Sequence, residues 1–174
     1  KQFQLGANSG EDVNFDIDSS ASADIGNYRV NGTASMIAAT DDIITAQTLT
    51  IAGNIGATTS AVALGSSAKT VASGVNDVAS LTGVTATAVT KVKMHSLTTT
   101  GTVAFTIGND AATLGSANIS VAITDVSDLR LIRDAINASA GTTGITAATH
   151  SDGNSALVLT HSTGEDIKIT SFTH

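Results

Sequence analysis

Ser127-Asp128-Leu129-Arg130-Leu131-Ile132-Arg133-Asp134-Ala135-Ile136-Asn137-Ala138-Ser139-Ala140-Gly141, followed by Thr143-Gly144-Ile145-Thr146-Ala147, carries the pattern that decides the fold of this chain. Leu129, Ile132, Ile136 and Ala140 recur at spacings of three, four and four. That spacing lines one face of an α-helix with apolar side chains. Ser127 has the hydroxyl of a helix N-cap, and Gly141 can end the helix in a left-handed conformation. The Ile145–Ala147 run then reads as a strand.

The same design occurs earlier, offset by the 61 residues between Asn76 and Asn137. Val75-Asn76 matches Ile136-Asn137, and Thr82-Gly83-Val84-Thr85-Ala86 matches Thr143–Ala147. Ser66, Val71, Val75 and Ala79 repeat the helical scheme, with Gly74 as a weak point in mid-helix. The pattern predicts helices near Ser66–Leu81 and Ser127–Ala140, with Ile136 fully buried and Val75 as its counterpart. Strand candidates are Leu49–Ile51, Val84–Val92, Val103–Ile107, Ile119–Ile123, Ile145–Ala147, Leu157–Thr160 and Ile167–Thr170. The last two flank His161–Asp166 and read as a hairpin. At the start, Phe3 and Leu5 alternate before the turn-forming Gly6–Gly10, and Val13, Phe15 and Ile17 alternate after it, which reads as another hairpin. The fold class that follows is strand-rich α+β: hairpins, two short helices packed on β-sheet layers, and an internal β-α-β-type repeat.

Composition narrows the function classes. The chain has 174 residues, 3% aromatic residues, and no Trp, Pro or Cys. Without Cys there is no disulfide, thiolate ligand or Cys nucleophile. The net charge is −7, and Lys91-Val92-Lys93 is the densest basic grouping, so no nucleic-acid partner is expected. It reads as one strand's solvated face. No run reaches the ~18 apolar residues of a membrane span, so no membrane partner is expected.

Motifs that could carry chemistry do not complete themselves. Ser66-Ser67-Ala68-Lys69 satisfies the Ser-x-x-Lys spacing of a serine acyl-transfer nucleophile, but the accompanying Ser-Asp-Asn and Lys-Thr-Gly elements do not occur. A helix cap followed by a solvated Lys accounts for it. Ala68 stands where a phosphate-binding loop requires glycine before its lysine. His95, His150, His161 and His174 are scattered, with no metal-ligand spacing. Asp16-Ile17-Asp18 begins like a calcium loop, but Ala21 and Asn27 replace its essential Gly and Glu. Asp152-Gly153-Asn154 reads as a turn. Asn31-Gly32-Thr33, Asn118-Ile119-Ser120 and Asn137-Ala138-Ser139 are formal glycosylation triplets of the kind frequent in a Ser/Thr-rich chain. No residue is therefore assigned to catalysis, a cofactor or a metal, and no enzymatic activity is expected.

Two segments resemble a known family. Phe3-Gln4-Leu5-Gly6-Ala7-Asn8-Ser9-Gly10, continuing through Glu11–Ile17 and the later Ile25-Gly26-Asn27-Tyr28-Arg29-Val30, resembles the phrase that follows the N-terminal helices of bacterial flagellins. Asp128–Ala138 with Thr143–Ala147, the Leu157-Val158-Leu159 strand and the Gly164–Ile167 turn resembles the Ile-Asn motif module of flagellins and hook-associated proteins. The resemblance implies a structural subunit of the flagellar filament, extracellular and secreted, here represented by an excised, surface-exposed outer fragment. It further implies assembly with other subunits through helical termini outside this sequence, and O-linked glycans on surface Ser or Thr. It suggests a division into a hairpin segment at 1–30, a first outer module at 31–107 and a second, Ile-Asn-like module at 108–174. The alternatives are a hook-filament junction or capping protein, or a carbohydrate-binding, adhesin-like β module. Against the last stands the scarcity of aromatic rings to stack on sugars.

Overall fold

Two helix-bearing modules follow one another, each opening with an antiparallel hairpin. The computed structural model describes residues 2–4, 12–14, 46–109 and 115–174. Its two units are residues 1–38 and 39–174. In the first unit, strands β1 (Gln2–Gln4) and β2 (Asp12–Asn14) pair antiparallel with Phe3 opposite Val13, as the opening alternation predicts. Gly6–Gly10, Phe15, Ile17 and the Asp16–Asn27 segment lie outside the described residues, as do Tyr28 and Asn31.

The second unit begins with β3 (Gln47–Ala52) and β4 (Ala57–Val62), which form a two-stranded sheet. Helix α1 (Ala68–Asp77) and the one-turn α2 (Ala79–Thr82) follow. After residues 83–89, which belong to no helix or strand, comes β5 (Thr90–His95). The second module repeats the order: β6 (Gly101–Gly108), β7 (Ser116–Ile123), α3 (Arg130–Ala138), α4 (Ala140–Thr143) and β8 (Ile145–His150). It then adds β9 (Gly153–His161) and β10 (Lys168–Thr173). The strand-rich α+β class expected from the sequence is the observed one, with each expected helix divided into a longer and a one-turn piece.

Two three-stranded antiparallel sheets serve the second module, in the orders β10-β6-β7 and β5-β9-β8. Because β6 pairs along its whole length with β7, Val103–Ile107 belongs to this module's sheet. The core is one cluster: Val103, Phe105 and Ile107 from β6, Ile119 and Ile123 from β7, Leu129, Ile132 and Ile136 from the helix region, and Ile145, Leu157 and Leu159 from β8 and β9. Ile136 is 0% exposed, as its place in the helical stripe predicts.

Several expectations are corrected. Leu157–Thr160 and Ile167–Thr170 are not a hairpin, since β9 lies between β8 and β5 while β10 pairs with β6. Both edges of β9 are taken, so the following strand crosses to the other sheet. Ser127 does not cap the second helix: its hydroxyl donates to Asp125 Oδ1 at 2.6 Å, and the helix starts two residues later, after Leu129. Ser67 is the first helix's N-cap, its Oγ accepting from Thr70 N–H at 3.3 Å. Gly141 lies inside α4, and the left-handed stops are Gly83 and Gly144, at φ 75° and 72°. A side chain there would be strained, which explains the glycine at both repeat positions. Gly74 also has a packing role, because a Cβ at that position would sit 2.6 Å from Ser60 Oγ on β4. Val75 is only half-buried, unlike Ile136. Val84–Val92 is a strand only from Thr90 onward.

Candidate functional site

The most developed polar device in the fold occurs twice. In the second module, Asn137 Nδ2 donates to Ala147 C=O at 2.9 Å and its Oδ1 accepts from Ala147 N–H at 2.8 Å. In the first, Asn76 makes the same pair of bonds to Ala86, at 2.9 and 2.8 Å. Ten residues separate each Asn from its strand residue, the distance needed to close the helix, turn back through α2 or α4, and run alongside. The threonine of each one-turn helix fixes that return. Thr143 Oγ1 donates to Ser139 C=O at 3.1 Å and accepts from Ile145 N–H at 3.2 Å. Thr82 does the same between Val78 C=O and Val84 N–H, at 3.1 Å each. Both threonines are buried, so these bonds satisfy hydroxyls that could not otherwise reach water.

This device explains why the matching residues are Asn, Thr and Gly. Asn supplies a donor and an acceptor in one plane, matching one residue's N–H and C=O along a strand edge. The sequence showed the matching positions but gave no signal for the bonds themselves. A second buried polar group also went unnoticed. His161, 2% exposed, faces Asn109, whose Nδ2 donates to Thr143 C=O at 2.6 Å and lies 3.3 Å from His161 Nε2. Thr163 Oγ1 is 3.2 Å from His161 Nδ1. The ring is thus held between Asn109 on its Nε2 side and Thr163 on its Nδ1 side.

The Ser66–Lys69 tetrad is resolved as local structure. Ser67 caps α1, and Lys69 Nζ forms an ion pair with Glu165 at 2.7 Å, while Lys69 N–H donates to Gly164 C=O. Lys93 of the Lys91–Lys93 grouping pairs with Asp152 at 2.5 Å, and all three residues face solvent on β5. The β8–β9 turn is Ser151–Asp152, so of the expected Asp152-Gly153-Asn154 turn only Asp152 lies in it, and Gly153 and Asn154 open β9. Asn118 accepts from Thr106 Oγ1 at 2.8 Å, and both ends of the Asn137 amide are engaged with Ala147.

Charges cluster at the approach to α3. Asp128 is held at about 2, below its usual carboxylate value, by the Arg130 side chain and backbone N–H that donate to it. Asp125 is lowered by the Ser127 hydroxyl and N–H, and Asp152 chiefly by Lys93. Two shallow cavities, of about 290 and 270 Å³, adjoin the β5 end. They share His95, Ser96 and Leu97, and the lining of the smaller includes Phe172, which stacks on Phe105 with ring centroids 6.0 Å apart. Both linings include the neighbouring pair His95 Nδ1 and Ser96 Oγ, 2.6 Å apart, with Ser96 at a left-handed φ of 66°. Among the described residues, no three His, Asp or Glu side chains gather to hold a metal, and no helix is long and apolar enough to cross a membrane. No protein-family model matches the chain, and no curated protein matches it.

Proposed function

We propose that this chain is a structural, surface-exposed portion of a bacterial flagellin, serving the filament without catalysis. The observation that carries this reading is the Ile-Asn pair. Ile136 anchors the core while Asn137 binds a strand edge, so the two residues that carry the resemblance to the Ile-Asn module both have architectural work. An acidic, hydroxyl-rich, aromatic-poor surface suits permanent contact with solvent. Filament assembly would reside in helical segments outside this sequence, with O-linked sugars on exposed Ser or Thr as added surface chemistry.

The test is replacement. Residues 1–174 are placed between the helical termini of a flagellin whose own outer portion has been removed. Filaments that bind an antibody against this chain along their length support the reading. Failure to assemble, with the unsubstituted helical termini assembling in parallel, refutes it. The chain alone should sediment without forming filaments.

A further inference from the structure

The first module is an incomplete copy of the second, and the missing part is identifiable. In the second module β8 runs antiparallel to β9, with Ala147 opposite Leu159 and Thr149 opposite Leu157. The first module's counterpart of β8 is Val84–Val89, whose burial alternates residue by residue as a strand's does but which belongs to no sheet. The chain that should have turned back to cover it continues instead as β5 and joins β9 of the other module. The consequence shows in burial. Ile132, Ile136 and Ile145 are buried, whereas their counterparts Val71, Val75 and Val84 are only half-buried, and Val89 is 53% exposed.

One edge of Val84–Val89 is already satisfied, because Asn76 takes both backbone groups of Ala86. Successive residues of an extended chain present their backbone groups to opposite edges. Thr85 and Thr87 therefore offer N–H and C=O on the other edge, the one that faces β9 in the second module. Among the described residues no backbone hydrogen bond reaches either of them. The run Val84-Thr85-Ala86-Thr87-Ala88-Val89 has no charge and no proline, so nothing along it discourages strand pairing.

We infer that this edge is an interface between two copies of the chain, joined by antiparallel pairing of Val84–Val89 with itself across a two-fold axis near Thr87. β9 cannot supply the strand, since both its edges are occupied. The same segment in a second copy presents the matching edge. Pairing Thr87 with its own copy keeps Val84, Ala86 and Ala88 of both chains on the half-buried face beside their helices. This interface does not depend on the filament reading. Two short strands make a small contact, so the dimer is reversible, half-formed between about 10 µM and 1 mM.

Sedimentation velocity over that range tests it. The chain is expected to pass from monomer to dimer, and Thr87→Pro, which deletes one pairing N–H on each copy, to stay monomeric with an unchanged circular dichroism spectrum. Should Thr87→Pro unfold, Thr87→Cys decides the matter. The chain has no other Cys. Paired Cα atoms at ~4.5–5.5 Å lie within disulfide reach, so mild oxidation should link the Thr87→Cys dimer and leave an Asp152→Cys control unlinked. A monomer at 1 mM, or a dimer indifferent to Thr87→Pro and unlinked through Thr87→Cys, overturns the inference.

Discussion

Removing the amide of Asn137 should cost far more than removing that of Asn76, although the two make the same bonds at the same lengths. Asn137→Ala leaves Ala147 N–H and C=O without partners, and Ala147 is a buried residue of β8. Leaving a buried backbone group unmet costs about 1–3 kcal/mol, so the pair should cost about 2–6 kcal/mol. At Asn76 the bonds are exposed, and water can replace the lost amide. Asn76→Ala should then cost only about 0.5–1.5 kcal/mol. Urea unfolding followed by circular dichroism measures both, and amide exchange at Ala147 and Ala86 reports each site directly. Asn137→Asp adds a check on geometry. Near neutral pH it keeps an acceptor for Ala147 N–H but sets a carboxylate against Ala147 C=O, so it should be no milder than Asn137→Ala. Equal costs at the two asparagines would refute the argument that solvent access, rather than bond geometry, sets the value of this contact.

Ile136→Val should lower stability by ~0.5–1.5 kcal/mol, whereas Ile136→Asp, which strands a charge in the apolar cluster, should unfold the second module; thermal melting distinguishes them. Gly74→Ala should be nearly neutral, because the gain in helix propensity is offset by forcing Ser60 Oγ from its rotamer. Combined with Ser60→Ala it should gain about 1 kcal/mol, and a double-mutant cycle reads the coupling. Asp128 is lowered in the folded state from 3.8 to about 2, so the unfolded chain takes up its proton first on acidification. The stabilisation from Asp128 is present above the unfolded value and is lost as pH falls through that window; Asp128→Asn should flatten melting temperature against pH there.

What could be read in the sequence was periodicity. The Leu129–Ile136 stripe and the matched Asn, Thr and Gly positions located both helices and the core contact, because spacing alone decides which face a helix buries. Three kinds of information were not local. Asp125, two residues upstream, draws Ser127 away from the helix amides, so the cap position depends on a competing acceptor. β4 was missed because Ala57-Thr58-Thr59-Ser60-Ala61-Val62 has too little apolar contrast to show a period. The fate of β9 and β10 depends on which strand edges distant segments have already filled. Val75 matches Ile136 in register yet stays half-buried for the same reason: what covers a face is decided by another part of the chain. The candidate site was legible as position without chemistry, since Asn76 and Asn137 could be aligned but their bonds to residues ten positions on could not be foreseen.

The exchange of β5 into the second module's sheet also sets an order of events. β5 at Thr90–His95 finds its partner only in β9, at Gly153–His161, and β6 finds one of its two only in β10. Closing such long loops precedes any reward from pairing, which slows folding. A chain emerging from its N-terminal end could therefore form the β3–β4 hairpin and α1 early, but could not lock its middle until β9 and β10 arrived. Until that moment it would remain pliable enough to thread through a narrow passage, and afterwards it would not.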